Sequence, residues 1–195
     1  PVVDEELRNK MGAAAIKIAS LLKYESAGTV EFLFDETTKE FWFLEVNTRL
    51  QVEHPVTEEV TGIDLVREQL KIANGEPLDF SQEDIEWFGS SIEVRLYSED
   101  PGNNFLPVTG KLIAFEPTED PLVRWDTGVE TGSEITPNFD PMLAKIISYG
   151  ETRVEAANKL ALALENSHFG GLKTNRDYLI SILRSDEFLK GDTTT

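Results

Sequence analysis

The chain has 195 residues, 40% of them apolar, and its 36 acidic and 18 basic side chains give a formal net charge of −18. This length allows one domain or two small ones, and the composition is typical of a globular protein. A chain with this net negative charge would repel a polyanion, and we therefore expect no binding to nucleic acid. The absence of cysteine excludes disulfides, zinc thiolate sites and cysteine nucleophiles.

Targeting signals are not evident in the sequence. No run approaches the ~20 apolar residues that a membrane span needs, and the first ten residues lack the pattern of a signal peptide. We therefore expect a cytoplasmic protein, or a mitochondrial-matrix protein if the source is eukaryotic, with no membrane partner. The chain begins without Met and already in helical period, which is typical of a piece of a longer chain.

The first predicted elements are a helix and a hairpin. Asp4 is a suitable N-cap, and the helix should end near Tyr24. Its apolar positions recur every three or four residues: Leu7, Met11, Ala14, Ile18 and Leu22. Two runs rich in aromatic and β-branched residues follow, TVEFLFD (29–35) and FWFLEVN (41–47), and the polar ETTKE lies between them. This arrangement predicts an antiparallel hairpin.

The rest of the chain predicts further helices and short strands. In residues 55–75 the second half is expected to be helical, with Asp64 as N-cap and Gly75 at the C′ position. After a polar, turn-rich stretch, strands are predicted at residues 91–98, 111–117, 123–128 and 143–150. Two more helices are predicted at residues 151–166 and 175–184. The predicted fold class is α+β.

The segment EVNTRLQVEHP (45–55) contains an alternating run of polar side chains. In an extended chain, side chains alternate between faces, so one face would carry Glu45, Asn47, Arg49, Gln51 and Glu53. An ordinary strand with one wet face would have the same pattern. The run therefore needs a second observation before it indicates a site.

Hairpin geometry provides that observation. If the turn is centred near Thr38, Phe34 lies opposite Trp42 and Glu31 lies opposite Glu45. Two carboxylates facing each other across a ladder repel, by about 4 kcal/mol at ~4 Å in a partly buried site. Oxygen ligands favour a hard cation such as Mg²⁺ or Mn²⁺, and Asn47 adds an amide oxygen. The alternative is that Arg49 neutralises the two carboxylates.

Long motifs in this region resemble one enzyme family. GTVEFLFD (28–35) and FLEVNTRLQVEHPVTEEVTGIDLVREQLKIANG (43–75) resemble the biotin carboxylase signature of the ATP-grasp superfamily. The later stretches IEVRLYSEDP, FLPVTGKL, NFDPMLAKI and GGLKTN extend the resemblance to the end of the chain. The resemblance implies ATP- and metal-dependent carboxylation of biotin by bicarbonate, through carboxyphosphate.

The resemblance also implies roles for individual residues. The metal ligands would be Glu31, Glu45 and Asn47, and the bicarbonate pocket would contain Arg49, Gln51 and the backbone amide of Val52. Glu53 matches the general base that deprotonates bicarbonate. Arg95 matches the arginine that stabilises the enolate-like form of biotin. Asp140 matches a position near the site but is not assigned to catalysis, and His54 and His168 are interpreted as a structural and a loop residue.

The family resemblance sets expectations for the domains. Residues 1–84 would be the C-terminal part of an ATP-grasp ATP- and metal-binding domain, and residues 85–195 a biotin carboxylase C-terminal α+β domain. The sequence contains no Gly-rich phosphate loop, so we expect the isolated chain to be inactive.

The resemblance also implies partners. These are the N-terminal and lid parts of the same enzyme, a biotin carboxyl carrier domain and a carboxyltransferase component. The residues around Arg124 lack an aromatic neighbour beside Leu122, so a bacterial-type homodimer is not expected.

Several alternatives stay open at this point. The motif DLVREQLKIANG is more similar to acyl-CoA carboxylases than to pyruvate carboxylase, but acetyl-CoA, propionyl-CoA, methylcrotonyl-CoA, urea and pyruvate all remain as final acceptors. Another ATP-grasp ligase would share the acidic metal ligands and the Asn, but not the RLQVEHPVTE continuation. A third hypothesis is a non-catalytic module that binds neighbouring carboxylase subunits.

Overall fold

A computed structural model describes residues 3–193, which divide into two compact units. One unit contains residues 3–54 and 62–86, and the other contains residues 55–61 and 87–193. The secondary structure is mixed and every strand pairing is antiparallel, so the predicted α+β class is confirmed. No helix within residues 3–193 combines the length and apolar character that crossing a bilayer requires.

The first unit contains two helices and a hairpin. Its elements are α1 (Glu5–Leu22), β1 (Thr29–Asp35), β2 (Glu40–Asn47), α3 (Leu65–Ala73) and a short 3₁₀ turn (Gln82–Asp84). The predicted caps are confirmed, because Asp4 accepts from the Leu7 N–H and Asp64 accepts from the Arg67 N–H, both at 2.8 Å. Gly75 has φ +82°, and its N–H donates to the Ile72 carbonyl, so the helix ends as predicted.

The second unit is built on a three-stranded antiparallel sheet in the order β3, β10, β8. These strands are β3 (Ser90–Tyr97), β8 (Val123–Thr127) and β10 (Met142–Gly150). Short pairs join β4 (Glu99–Asp100) to β5 (Leu106–Pro107), β6 (Gly110–Lys111) to β9 (Glu134–Ile135), and β7 (Ala114–Glu116) to β11 (His168–Gly170). A 3₁₀ turn spans Pro101–Asn103. The helices are α2 (His54–Thr61, which belongs here except for its first residue), α4 (Arg153–Glu165), α5 (Arg176–Leu183) and α6 (Asp186–Lys190).

The core of the second unit lies between the sheet and α4. The buried face of α4 carries Ala156, Ala157, Leu160, Ala161 and Leu164. The strands contribute Ile92, Val94 and Leu96 from β3 and Leu143 and Ile146 from β10. Burying one Leu or Ile side chain contributes about 1.5–3 kcal/mol. This core fixes the sheet, so the opposite face of the sheet presents its polar side chains at fixed positions.

Three local predictions differ from the structure. The helix α2 was not expected, because only the second half of residues 55–75 was predicted to be helical, yet proline is tolerated in the first turn of a helix. The helix α6 was also missed. The strand predicted at residues 111–117 is divided, because the Leu112 N–H donates to the Ser133 carbonyl while the Ile113 N–H donates to Gly170.

Candidate functional site

Two glutamates face each other across the β1–β2 ladder. Glu31 of β1 is the direct cross-strand partner of Glu45 of β2, as the sequence predicted. Asn47, two residues after Glu45, pairs with Thr29 and therefore lies on the same face as the two carboxylates. The hairpin thus gathers two acids and one amide on one face.

The register of this hairpin depends on a β-bulge. The predicted pairing of Phe34 with Trp42 is wrong, because Phe34 lies opposite Phe41. Leu44 is left without a cross-strand partner in the ladder, and the register shifts by one residue at this point. With Phe34 opposite Phe41, a regular ladder would place Leu44 opposite Glu31, and the extra residue brings Glu45 there instead.

Two side-chain amides approach the facing carboxylates. Asn47 Nδ2 lies 2.7 Å from Glu31 Oε1 and 3.2 Å from Glu45 Oε1, so one nitrogen contacts both acids. Gln51 Nε2 lies 3.0 Å from the same Glu31 oxygen. These N–H donors reduce the repulsion between the carboxylates, but they are neutral and leave two negative charges together. The cluster is therefore suited to binding a cation.

The polar run beyond Asn47 does not continue as a strand. β2 ends at Asn47, residues 48–53 are irregular, and α2 begins at His54. The Gln51 carbonyl accepts from the His54 N–H at 3.3 Å and lies 2.8 Å from His54 Nδ1, which closes a turn. The prediction that all five polar residues share one face of an extended strand is therefore wrong. Gln51 reaches Glu31 through a loop.

The remaining residues of the run lie in this loop. Arg49 is exposed and donates from Nη1 to the Leu50 carbonyl at 3.3 Å, rather than pairing with the glutamates as the alternative hypothesis required. Val52 and the exposed Glu53 form the turn that immediately precedes α2. Gln51 therefore reaches the carboxylate cluster from this loop, and Arg49 does not.

Arg95 lies on the polar face of the three-stranded sheet. Its cross-strand partner is Lys145 of β10, which is also the partner of Asp126 on β8. Lys145 Nζ is 3.4 Å from Asp126 Oδ2, and Arg95 Nε is 4.0 Å from Glu93 Oε1. The Arg95 side chain is 42% exposed, so a guanidinium on a fixed strand is accessible to a ligand.

Arg124 joins this sheet to α2. It holds Asp126 in a two-pronged contact, with Nε–Oδ1 and Nη2–Oδ2 both at 2.9 Å, and it donates from Nη1 to Glu58 Oε2 at 2.7 Å. Hydrogen bonding to Asp126 raises the pKa of Arg124 above its ordinary value, burial opposes this rise, and Glu58 adds to it. The sequence suggested Arg124 only as a dimer contact. Alternation along the strand predicted at residues 123–128 already places Arg124 and Asp126 on one face, but Glu58 lies 66 residues from Arg124 and no local pattern pairs the two.

Replacing Arg124 with Ala should lower the free energy of unfolding by about 1–3 kcal/mol, because it removes the guanidinium that hydrogen-bonds the partly buried carboxylates of Glu58 and Asp126. Glu58 is only 9% exposed. The matched control is Arg184→Ala, which removes a two-pronged but exposed pair with Glu165 and should cost at most about 1 kcal/mol. Urea denaturation compares the two, and equal losses would contradict a special role for Arg124.

The same network makes the stability of the folded protein depend on pH. Burial acts to raise the pKa of Asp126, but Arg124 and then Lys145 act in the opposite direction and outweigh it, so the pKa lies below its ordinary value. A lowered folded-state pKa contributes stability above the unfolded-state pKa of about 4, and this stability is lost as the pH falls through the folded-state pKa.

Three further polar residues take part in local hydrogen bonding or strand pairing. Asp140 is exposed, and its Oδ1 accepts from the Met142 N–H at 2.9 Å, at the first residue of β10. His168 is the first residue of β11 and pairs with Glu116, so its interpretation as a loop residue is wrong. His54 closes the turn before α2.

Comparison with known families identifies both parts of the chain. Residues 93–195 match the family described as biotin carboxylase C-terminal domain. Residues 1–81 match the family described as carbamoyl-phosphate synthase L chain, ATP binding domain. The first of these matches covers more than half of the chain.

Individual relatives agree with this result. The chain is 50% identical over 195 residues to biotin carboxylase 2 of Bacillus subtilis, and covers 44% of that protein. It is 47% identical to the mitochondrial propionyl-CoA carboxylase alpha chain of Homo sapiens, with 99% of this chain and 27% of the human chain covered.

A solved structure gives the same answer. The biotin carboxylase domain of the Hydrogenobacter thermophilus 2-oxoglutarate carboxylase, in complex with MgADP, ADP and bicarbonate, superimposes with a TM-score of 0.94 at 40% identity. The match covers all of this chain and 43% of that one. The chain thus spans less than half the length of the relatives it matches, and over that span it belongs to the biotin carboxylase family.

Proposed function

We propose that the protein containing this chain carboxylates biotin with bicarbonate and ATP, as the biotin carboxylase component of an acyl-CoA carboxylase. The observation that carries the proposal is the facing pair Glu31 and Glu45 with Asn47 between them. The match of residues 93–195 to the biotin carboxylase C-terminal domain supports this reaction over that of another ATP-grasp ligase.

The donor set fits a hard divalent cation. Glu31 and Glu45 offer carboxylate oxygens, and Asn47 would offer its amide oxygen after the carboxamide turns over, because its NH₂ group now faces the acids. Within residues 3–193 no cluster of three or more acidic, His or Cys side chains forms a complete metal site. Mg²⁺ or Mn²⁺ held by one or two carboxylates, with phosphate oxygens completing its shell, would neutralise charge on ATP.

The loop after β2 would handle bicarbonate. The guanidinium of Arg49, the amide of Gln51 and the backbone N–H of Val52 would hold the planar anion, because a fork of N–H donors matches its oxygens. Glu53 would take the proton of bicarbonate. A bicarbonate oxygen then bonds to the γ-phosphorus, the bond from that phosphorus to ADP breaks, and carboxyphosphate forms.

Arg95 would act on biotin. When the ureido nitrogen loses its proton, negative charge collects on the ureido oxygen, and a nearby guanidinium stabilises it. The nitrogen then bonds to the carboxyl carbon of carboxyphosphate, the bond between that carbon and the phosphate oxygen breaks, and the phosphate leaves with the proton that the nitrogen has lost. The partial exposure of Arg95 on β3 is compatible with a ligand that arrives on a carrier.

The domain and partner assignments complete the proposal. Residues 1–84 would belong to the ATP- and metal-binding domain, and residues 85–195 would form the C-terminal domain. The partners would be the remaining N-terminal and lid parts of the enzyme, a biotin carboxyl carrier domain and a carboxyltransferase component that selects the final acceptor.

The test of this function is ATP cleavage by the full-length protein. We expect cleavage to require both bicarbonate and biotin, and we expect the isolated 195-residue chain to show none. Cleavage that ignores biotin but requires an amine acceptor would identify a different ligase. Turnover of ATP by the isolated chain would contradict the proposed division of the active site.

Replacing Glu45 with Gln should stabilise the metal-free protein by a few tenths to about 1 kcal/mol, because the change removes a like-charge cross-strand pair. The same change should greatly reduce the stabilisation that added MgCl₂ gives the wild type. Urea midpoints with and without Mg²⁺ measure both effects. Glu36→Gln, an exposed carboxylate in the hairpin turn, is the control, and a destabilised Glu45→Gln variant with an undiminished Mg²⁺ effect would reject the metal site.

A further inference from the structure

Asn175 makes three hydrogen bonds to the strand that carries Arg95. Its Oδ1 accepts from the Tyr97 N–H at 2.9 Å, its Nδ2 donates to the Arg95 carbonyl at 3.1 Å, and its backbone N–H donates to the Tyr97 carbonyl at 3.2 Å. β3 is an edge strand, since it pairs only with β10 in its sheet. Asn175 therefore hydrogen-bonds the open edge of β3 at Arg95 and Tyr97, as a neighbouring strand would.

This use of Asn175 departs from its local role. Asn175 is the N-cap residue of α5, where an asparagine side chain ordinarily accepts from the first turn of its own helix. Here it makes no side-chain cap hydrogen bond. Its carboxamide is directed to β3, and the residue is only 4% exposed. The helix α5 therefore lacks a side-chain cap, and the Asn175 carboxamide hydrogen-bonds the backbone of β3 instead.

The anchor point is itself firmly held. The Asn175 carbonyl accepts from the Leu179 N–H at 2.9 Å, which fixes it to the first turn of α5. Leu183, at the end of that helix, is 1% exposed in the core of the unit. Asn175 thus connects a packed helix to the backbone at Arg95, so a movement of β3 at this point would have to break several contacts together.

We propose that Asn175 is a positioning residue for biotin carboxylation, which fixes the backbone of Arg95 so that its guanidinium meets the biotin ureido group in register. The inference rests on the proposed function of Arg95. Its physical basis is that an error of about 1 Å in the placement of a reacting group lowers a rate by as much as 10². The carboxamide never touches biotin and acts only through Arg95.

The test uses the full-length protein and free biotin as the probe. Asn175→Ala should lower kcat/KM for biotin by about 10- to 100-fold, while the KM values for ATP and bicarbonate stay within about two-fold. Asn175→Asp keeps an acceptor for the Tyr97 N–H and loses the donor to Arg95, so it should retain the biotin defect. Its loss of stability should be at least as large as that of Asn175→Ala, because it buries a carboxylate beside the Arg95 carbonyl oxygen. Hydrogen exchange at the Tyr97 amide should accelerate in Asn175→Ala.

A matched control separates positioning from stability. Ser167 is equally buried in the same unit, accepts from the Thr118 N–H and donates to the Ala163 carbonyl, and its described hydrogen bonds do not involve β3. Ser167→Ala should lower Tm and leave the biotin kinetics within about two-fold of wild type. Unchanged biotin kinetics in both Asn175 variants, with a loss of turnover in Arg95→Ala, would overturn the positioning role. Normal turnover in Arg95→Ala would instead overturn the function proposed for Arg95.

Discussion

Replacing Glu53 with Gln in the full-length protein is expected to lower kcat by about 10²–10⁴, because loss of a general base typically costs that much. The substitution keeps the size and polarity of the side chain in the turn before α2 but removes its ability to accept a proton. Such a loss corresponds to about 3–5 kcal/mol of transition-state stabilisation. Bicarbonate should still bind, so its KM should change little. Steady-state rates against bicarbonate measure both quantities.

A stability measurement accompanies the rates. Glu53 is exposed, so the melting temperature of the variant should match that of wild type, and an inactive variant is then a catalytic defect. Glu25→Gln, which changes an exposed carboxylate outside the cluster in the same unit, is the control. Near-normal turnover in Glu53→Gln would remove Glu53 from the mechanism and would leave bicarbonate to be deprotonated by another group.

Replacing Arg49 with Lys should raise the KM for bicarbonate by about 10- to 100-fold, with a smaller effect on kcat. The positive charge survives, but the planar fork of donors that matches an oxyanion is lost. Hydrogen bonds to charged groups contribute about 1.5–3 kcal/mol, which converts to this range of affinities. Titration of bicarbonate at saturating ATP and biotin measures the change.

The comparison with Glu53→Gln makes this result diagnostic. An anion clamp and a general base fail differently, the first mainly in KM and the second mainly in kcat. Arg67→Lys, an exposed arginine at the start of α3, controls for the arginine-to-lysine exchange itself. If Arg49→Lys lowered kcat with an unchanged KM, Arg49 would act on the transition state instead of holding bicarbonate.

The facing carboxylates show how far local patterns reach. Alternation predicted that Glu31 and Glu45 face each other, and they do, but the pairing depends on a bulge at Leu44 that has no clear local signature. The error at Phe34 and Trp42 has the same cause. Counting residues from a turn fixes the register only if the ladder is regular.

The loop after β2 shows what alternation cannot determine. A period of two is compatible with a strand, but the Gln51 carbonyl closes a turn with His54, and the chain enters α2 there. Gln51 then contacts Glu31 from twenty residues away. The resemblance of the motif to biotin carboxylases predicted a site at these residues, and tertiary packing determined which of their side chains are in contact.

The sequence by itself determined the α+β class, the helix caps at Asp4 and Asp64, and the family. Helix caps and hydrophobic periodicity depend on residues a few positions apart, so a short stretch of sequence is enough to predict them. Tertiary structure decided the ion pair of Arg124 with Glu58 and the bonds from Asn175 to the backbone at Arg95, eighty residues away. Those contacts depend on how α2 and α5 pack on the sheet. The hydrophobic burial that drives such packing is non-directional, so it leaves no local pattern in the sequence.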